Sequence, residues 1–407
     1  MRKKVLVPAI AAVCAAVIAG ALSNPASAAQ QTAVQAPVAV NAPLAPATFT
    51  HPGVGVSRAQ LDFVRAKVQA GAQPWTNAYN QAKGSNYASL SRTPTPRATV
   101  ECGPYSQPNY GCTNEREDAI AAYTDAVIWY ITRDDRYAQK AIALMDAWSN
   151  TIRDHTNSNA PLQTGWAASS WPKAAEIIKH VYGNWPNAGR FATMLRNVYV
   201  PEIINGSNSN GNWELTIIEA LQGIGVFLED KTIYDKAISL FSYRAPAYVY
   251  LESDGALPKT VPSQNLNTRD KIVSYWQGQG TFVTGLTQET CRDFVHTGYG
   301  ISAISHVLET GRIQGIDMYP QYGERLRQAL GFQSRWERNL EPVPSWLCGG
   351  SVNRGLGPIT EVGYNALHTR LGIAMANTQA LTESRRPAGS NNLFVAWETL
   401  THAENPS

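Results

Sequence analysis

The sequence predicts an all-α protein that is built from consecutive helical hairpins. From about residue 57 onward, apolar side chains recur at i, i+3, i+4 and i+7, which is the spacing of one buried helix face. Runs that alternate with period two, as strands do, are scarce. The helical runs come in pairs joined by short polar or Pro/Gly loops, and no sequence repeat is visible. This pattern favours an (α/α)n toroid, an incomplete barrel of helical hairpins with long loops that carry the active site.

The same spacing predicts the individual helices. The first begins near Ser57, a residue type that caps helix N-termini. The next two, Glu115 to Ile131 and Tyr137 to Trp148, form a hairpin. Two long loops, at residues 205–212 and 253–289, interrupt the series, and such loops often carry function in a compact helical domain. Further helices are predicted over 171–182, 188–199, 213–228, 234–250, 299–309, 322–340, 364–377 and 393–402.

The N-terminus has the three parts of a secretory signal peptide, which predicts removal of residues 1–28 and a secreted, extracellular protein. A basic start precedes an apolar stretch at Val5 to Leu22, and Ala26-Ser27-Ala28 supplies a cleavage site. The alternative is an uncleaved membrane anchor, which Pro8 and the cleavage site disfavour. Residues 29–51 are predicted to be a flexible Ala/Pro-rich leader, and 52–407 a single large helical domain without membrane contact.

The net charge of +3 belongs to the signal segment. Arg2, Lys3 and Lys4 leave with it, and 31 basic and 31 acidic residues remain. A neutral chain has no global basic field, which excludes nucleic acid and anionic membranes as partners.

Four cysteines remain after the signal peptide, and an even number in an exported chain predicts two disulfides. Cys102 and Cys112 flank a short loop and are expected to pair, which leaves Cys291 with Cys348. Four cysteines allow three pairings, and the sequence does not choose among them. No metal site or cofactor is predicted, because there is no C-x-x-C and no two His stand at ligand spacing with an acid.

The second long loop ends in a polar helical stripe that differs from the neighbouring apolar ones. If a helix begins near Cys291, then Arg292, His296 and Tyr299 fall at i, i+4 and i+7 on one face. Asn212 closes the first loop just before another helix, where an amide and a helix N-terminus can both donate to an anion. Each has a structural alternative: an ion pair of Arg292 with Asp293 or Glu289, a core role for the ring residues, and helix capping by Asn212.

These residue types suit β-elimination from a 4-linked uronic acid. The reaction needs a cation or amide to neutralise the C6 carboxylate, a base to remove the C5 proton, and an acid to protonate the departing O4. Asn, His and Arg can supply the first, and Tyr or His the other two. A tyrosine base needs a lowered pKa, for which a nearby arginine is the expected cause.

The chain resembles the alginate lyase superfamily, which includes mannuronate and glucuronan lyases with an α/α toroid fold. The resemblance covers about residues 57–377, and it depends on the order of several short motifs. These are Ala147-Trp148-Ser149, Leu162-Gln163-Thr164-Gly165-Trp166, Ala174-Ala175-Glu176-Ile177-Ile178, Asn212-Trp213-Glu214, Gln288-Glu289-Thr290-Cys291-Arg292-Asp293 with His296, and Glu361-Val362-Gly363-Tyr364-Asn365.

The resemblance implies a secreted polysaccharide lyase that cleaves alginate, polymannuronate or glucuronan to 4,5-unsaturated ends. It implies that Tyr299 is base and acid, and that Asn212 and Arg292 bind the carboxylate. The mannuronate enzymes carry His where this chain has Trp213, so we expect His296 to supply the imidazole. The departure raises the expectation of a glucuronan-type substrate.

Other residues are predicted to contact the acidic polysaccharide, since aromatic faces stack on sugar rings and polar groups bond their hydroxyls. They are Gln163, Trp166, Trp213, Trp276, Gln288 and Arg269. The protein is expected to be a monomer. Two other functions remain open at this point. A toroid glycoside hydrolase would need two carboxylates, with Glu214, Glu289 and Asp293 as candidates. A non-catalytic carbohydrate-binding protein would bind without turnover.

Overall fold

The computed structural model describes residues 45–407. The predicted signal peptide and residues 29–44 of the predicted leader lie outside the described residues. Over the described part of the chain, no helix combines the length and apolarity needed to cross a membrane.

Helices dominate the described residues, as the apolar spacing predicted. They are α1 (Arg58–Gln69), α2 (Trp75–Lys83), α3 (Cys112–Thr132), α4 (Asp135–Thr151), α5 (Ala160–Ile177), α6 (Ala188–Met194), α7 (Val200–Ile203), α8 (Gly211–Phe227), α9 (Lys231–Tyr248), α10 (Arg269–Tyr275), α11 (Phe294–Ile313), α12 (Tyr319–Glu337), α13 (Glu361–Tyr364), α14 (Ala376–Ser384) and α15 (Glu398–His402). Short π-helical turns continue α5, α6 and α13.

The long helices form the toroid that the hairpin pattern predicted. Inner helices α3, α5, α8 and α11 pack against one another in chain order, while α4, α9 and α12 pack outside α3, α8 and α11. Helices α13, α15 and α1 connect the last inner helix back to the first. The inner helices are buried on nearly all sides, whereas α4 keeps one exposed face, as expected for an outer helix.

One small sheet interrupts the helices. It contains β1 (Thr99–Cys102), β2 (Asn109–Tyr110) and β3 (Asp154–Thr156) in the order β2-β1-β3, with β1 antiparallel to β2 and parallel to β3. The disulfide Cys102–Cys112 joins the end of β1 to the start of α3. The sheet therefore holds the loop between these cysteines at the rim of the toroid.

Several predicted boundaries were wrong. Helix α5 begins at Ala160, eleven residues before its predicted start, and keeps Pro172 within it. The helix predicted over 364–377 is divided by Gly372, which has a φ of 68°. The predicted loop 253–289 contains α10, and only Glu398–His402 of the last predicted helix is helical.

The end of the predicted leader packs against the helical unit. The Ala45 amide donates to Asp235 at 2.6 Å, the Thr50 amide donates to Gln314 at 2.8 Å, and Phe49 is buried. Residues 45–51 therefore belong structurally with the domain that was predicted to begin at residue 52.

Candidate active site

A cleft of about 520 Å³ opens where the inner helices α5, α8 and α11 begin. Its walls come from the disulfide-bonded 102–112 loop, the loop before α8 and the start of α11. The lining residues are Pro104, Tyr105, Asn159, Leu162, Trp166, Asn208, Ser209, Asn210, Trp213, Tyr275, Arg292, His296, Tyr299 and Leu393. The structure thus brings Arg292, His296 and Tyr299 together, as the sequence predicted.

The first turn of α11 fixes the imidazole of His296. Asp293 is the N-cap of this helix, and its carboxylate accepts a hydrogen bond from the His296 amide at 2.7 Å. The same carboxylate lies 2.7 Å from His296 Nδ1. One acidic residue therefore starts the helix and orients the ring, which leaves Nε2 as the nitrogen for other partners.

The carboxyl group of Asp293 is ionised at neutral pH. Its burial alone would raise its pKa, but hydrogen bonds from His296 and the charge of Arg292 lower the pKa overall. An ionised carboxylate is only an acceptor, so Nδ1 of His296 is the donor in this pair. With Nδ1 engaged by Asp293, Nε2 is the ring nitrogen that is available to a partner in the cleft.

Arg292 precedes α11 and is not in its first turn. The predicted helix start near Cys291 was wrong, because the Asp293 cap places the first helical residue at Phe294. Arg292 still lines the cleft with a quarter of its side chain exposed, and its guanidinium donates to Glu289 Oε1 at 2.8 Å. The ion pair that was the structural alternative is therefore present and holds the guanidinium at the cleft wall.

Glu289 is the centre of a buried hydrogen-bond network behind that wall. Its carboxylate accepts bonds from the Asn212 amide NH2 at 2.7 and 2.8 Å, from the Asn212 backbone at 3.1 Å and from the Tyr248 hydroxyl at 3.2 Å. Gly211 and Gly300 lie against the Tyr248 ring, where an added Cβ would come within 2.1 and 2.3 Å of ring atoms. Sequence reasoning considered Glu289 only as an ion-pair partner or a hydrolase acid.

Asn212 does not reach the cleft. It is fully buried in the first turn of α8, and its NH2 group is committed to Glu289. The predicted direct contact of this amide with a substrate carboxylate is therefore not the arrangement seen. Asn210, two residues earlier, lines the cleft instead.

Tyr299 projects into the cleft among aromatic rings. Its ring centroid lies 5.5 Å from that of His296, 6.4 Å from that of Trp166 and 6.1 Å from that of Phe394. Burial and the charge of Asp293 raise the pKa of Tyr299 to about 12, although two arginines act in the opposite direction. The arginines thus lower the pKa of Tyr299, as the sequence predicted, but burial raises it by more. The phenol is therefore neutral.

Arg116 is a second cation near Tyr299, and sequence reasoning missed it. It lies on the inner helix α3, with its guanidinium 5.1 Å from the Trp166 ring centroid, and its charge lowers the pKa of Tyr299. Gln163 holds it by accepting a hydrogen bond at 2.6 Å. The sequence signal that could have revealed it is the charged run Glu115 to Asp118 near the start of an otherwise largely apolar helix.

The predicted substrate contacts divide into two groups. Trp166 and Trp213 line the cleft, as predicted. Gln163 and Gln288 are fully buried and bind protein groups, since Gln288 donates to the Tyr275 carbonyl at 2.6 Å. Trp276 is a core residue that packs against Phe282, and Arg269 binds the Gly280 carbonyl on the exposed surface. Neither of these last two lines the cleft.

Both disulfides have the expected pairing, Cys102–Cys112 and Cys291–Cys348. The second closes a separation of 57 residues and lies next to Arg292 in the chain. The Cys348 amide also donates to Gln279 at 2.9 Å, which joins the disulfide to the loop after α10. The disulfide and this hydrogen bond together attach the segment that carries Arg292 to the rest of the domain.

Replacing Cys291 and Cys348 together by Ser should therefore lower both stability and activity. We expect the free energy of unfolding to fall by about 2–4 kcal/mol, because the reduced chain gains loop entropy when it unfolds. Denaturant unfolding and kcat/KM would be measured together. Wild-type kcat/KM in this variant would show that the disulfide does not position Arg292.

The carboxylates named for a hydrolase are not placed for one. Glu214 is buried and accepts a hydrogen bond from Arg244 Nε at 2.8 Å, and Glu289 is held by the network described above. Asp293 is committed to His296. A glycosidase requires two carboxyl groups facing the scissile bond, which these three do not provide.

A toroid of helical hairpins around a cleft with a guanidinium, an imidazole and a phenol defines a polysaccharide lyase. The chain belongs to the alginate lyase family, because the family model described as alginate lyase matches residues 64–342. No sequence among curated proteins matches the chain significantly.

Solved structures share the fold. Alginate lyase A1-III from Sphingomonas species A1 superposes with a TM-score of 0.59 at 17% identity, covering 88% of this chain and 97% of that one. A variant of alginate lyase A1-III, complexed with a tetrasaccharide, gives 0.57 at 16% identity, with coverages of 88% and 97%. An alginate lyase from Bacteroides ovatus gives 0.51 at 13% identity, with coverages of 87% and 99%.

Proposed function

We propose that this lyase cleaves a 4-linked polyuronate by β-elimination and leaves 4,5-unsaturated uronate ends. The observation that carries the proposal is the joint placement of Arg292, His296 and Tyr299 on one wall of the cleft. The solved relative that is complexed with a tetrasaccharide supports a saccharide substrate for this chain.

Each of the three residues has one task. Arg292 binds the C6 carboxylate and stabilises the negative charge that develops when C5 loses its proton. His296 Nε2 takes that proton, since Nδ1 is held by Asp293. The electron pair of the C5–H bond forms the C4–C5 double bond, the C4–O4 bond breaks, and the Tyr299 hydroxyl protonates O4. Proton exchange with solvent then restores His296 and Tyr299.

The proposal gives the acid role to Tyr299 because its pKa of about 12 keeps the phenol protonated. The resemblance implied one tyrosine as both base and acid. Here the neutral phenol is suited to donate, and an imidazole that is oriented by a carboxylate is suited to accept. Asn212 and Glu289 act as positioning residues, since they hold Arg292 from behind.

The geometry favours uronates whose C5 hydrogen and O4 lie on the same face of the ring. His296 and Tyr299 are one turn apart on α11, and their ring centroids are 5.5 Å apart, so both reach the sugar from one side. Mannuronate and glucuronate share this arrangement at C4 and C5. Guluronate, the C5 epimer of mannuronate, presents the hydrogen on the opposite face.

The test is a panel of polymannuronate, polyguluronate and glucuronan, followed by the ultraviolet absorbance of the unsaturated product. We expect turnover of polymannuronate, glucuronan or both, and little with polyguluronate. Equal turnover of polyguluronate would contradict the one-sided proton transfer. The absence of product from all three would contradict the proposed substrate class.

Trp166 is expected to form part of the sugar-binding wall. Its ring lines the cleft beside Tyr299. Aromatic faces commonly stack on sugar rings, so we expect this residue to bind the substrate and not to take part in the reaction. In Trp166→Ala, we expect KM to rise about tenfold while kcat changes less. This is the result of losing a contact that binds the substrate and the transition state equally well. Trp276→Ala is not a suitable control because it is a core residue, so Tyr105→Ala on the exposed rim serves instead. A fall in kcat alone would contradict the binding role.

We also propose that the protein is exported and acts as a monomer outside the cell. The basic, apolar and A-x-A segments of residues 1–28 support export, and the two disulfides are compatible with an oxidising compartment. Detection of the processed chain in culture medium, beginning after Ala28, would test the export.

A further inference from the structure

A second cavity, of about 330 Å³, opens between the loop after α10 and the segment around the second disulfide. We name it the Trp346 pocket. Its walls are residues 277–281, Cys291, Trp346, Cys348 and Gly349. The Cys291–Cys348 disulfide joins two of these walls covalently, so they cannot separate in the folded protein.

The buried side chain of Gln279 connects the remaining walls. Its Oε1 accepts a hydrogen bond from the Cys348 amide at 2.9 Å. Its Nε2 donates to the carbonyls of Thr281 at 2.5 Å and Trp346 at 3.0 Å. Gln279 thus positions the walls and keeps no donor for a ligand. A pocket that is already formed binds without the cost of ordering its own loops.

The Trp346 pocket is a close neighbour of the cleft. At the end of α10, Tyr275 lines the cleft and Gln277 lines the pocket. Before α11, Arg292 lines the cleft and Cys291 lines the pocket. Because these residues are one or two apart in the chain, the same two segments of backbone form walls of both cavities.

The pocket offers hydrogen-bond donors and no acid. The backbone amides of Gly280, Thr281 and Gly349 donate to no protein group within residues 45–407. A Cβ added at Gly349 would meet no atom within 4 Å, so this backbone is open to a ligand. None of the described residues that line the pocket is acidic. Backbone N–H groups without a competing carboxylate suit an anion.

An aromatic ring and a cation accompany these donors. Trp346 is 38% exposed, although tryptophan is usually well buried. Arg269 is exposed and donates to the Gly280 carbonyl at 2.7 Å, and it forms no ion pair with any carboxylate in the described part of the chain. A uronic acid has the matching parts, since its ring has an apolar face and its C6 carboxylate accepts hydrogen bonds.

We propose that the Trp346 pocket binds a uronate unit of the same polymer chain whose scissile bond lies in the cleft. This inference rests on the polyuronate substrate proposed above. The sugar ring stacks on Trp346, and its carboxylate binds the open amides and Arg269. A chain that is held in both cavities binds more tightly than one held in the cleft alone.

The pocket contributes to binding and not to the reaction, because it is separate from the residues that move protons. Its contribution is therefore expected in KM and not in kcat. It also requires a chain long enough to reach from the scissile bond to the pocket. In the wild type, KM should fall as the substrate lengthens, until the chain occupies both cavities.

The test measures kcat and KM for oligosaccharides of increasing length and for the intact polyuronate. On the polymer, Trp346→Ala should raise KM by about tenfold and leave kcat near the wild-type value. On the shortest oligosaccharide that is cleaved, its KM should equal that of the wild type. The matched control is Tyr243→Ala, an aromatic residue of α9 that is 37% exposed and lies outside both cavities.

Arg269→Gln tests recognition of the carboxylate. We expect KM for the polymer to rise about threefold at low salt, since an exposed ion pair contributes modestly. The difference from the wild type should shrink as salt is added, because salt screens exposed charges. Lys231→Gln is the control: Lys231 is the exposed first residue of α9, as Arg269 is of α10, and should leave KM unchanged.

Wild-type KM for the polymer in a folded Trp346→Ala variant would overturn the proposal. An equal rise in KM at every substrate length would also overturn it, because the change would then act through the cleft. If Trp346→Ala does not fold, Arg269→Gln decides alone, and an unchanged KM at low salt overturns the proposal. A wild-type enzyme that cleaves no polyuronate would instead contradict the proposed function, and with it the ligand assigned to the pocket.

Discussion

Tyr299→Phe should lower kcat by about 10²–10⁴-fold, the usual contribution of a general acid. The variant keeps the ring and its contacts with Trp166, His296 and Phe394, so the fold and the substrate-binding wall remain. It loses only the hydroxyl that protonates O4 as the C4–O4 bond breaks. Steady-state kinetics should show a large fall in kcat with little change in KM.

The control for this prediction is Tyr105→Phe. Tyr105 also lines the cleft, but it is 90% exposed at the rim, so its hydroxyl is in water and not at the reacting bond. We expect kcat within about twofold of wild type, since exposed changes away from the chemistry cost little. Comparable losses in both variants, or nearly full activity in Tyr299→Phe, would remove Tyr299 from the acid role.

Glu289→Gln should damage both stability and activity. The carboxylate accepts bonds from Asn212, Tyr248 and Arg292, and an amide of the same shape turns a donor toward at least one of these donors. Removing one partner of a buried ion pair costs about 3–5 kcal/mol. Displacing Arg292 by about 1 Å would lower kcat/KM by about 100-fold.

Glu341→Gln provides the matched control for that change. Glu341 pairs with Arg335, but both side chains are about half exposed, and such surface pairs contribute little to stability. Denaturant unfolding and kcat/KM should both stay near the wild-type values. If Glu289→Gln also behaves in this way, the buried network does not position Arg292.

The fold was predictable because helix-forming stripes are local. The hairpin of α3 and α4 was found almost to its ends, since its apolar positions and the Asp134 cap lie within one stretch of sequence. Helix α5 was found only from Trp171 onward, although it begins at Ala160 and keeps Gly165 within it. Glycine has a low helix propensity, and burial on all sides overrides it.

The site was predictable where its residues are close in sequence. Arg292, His296 and Tyr299 belong to one segment and were found from their spacing. Arg116 and the full role of Glu289 were not, since each depends on contacts between helices far apart in the chain. The contact of His51 with Glu176 was missed for the same reason, because His51 is 125 residues before Glu176.

A chain without net charge needs local cations to bind an acidic polymer, and the sequence predicted Arg292 and Arg269 in contact with it. The structure keeps Arg292 at the cleft and adds Arg116 behind Trp166. Arg269 instead binds a backbone carbonyl in its own loop. Periodicity cannot assign these partners, because they depend on the path of the loop.

We propose that the enzyme breaks each C4–O4 bond by elimination. The most direct measurement counts new reducing ends and C4–C5 double bonds in the same digest of polymannuronate or glucuronan. The proposed chemistry predicts about one double bond for each new reducing end, since the bond forms as O4 departs. New reducing ends without ultraviolet absorbance would mean hydrolysis and would contradict the account.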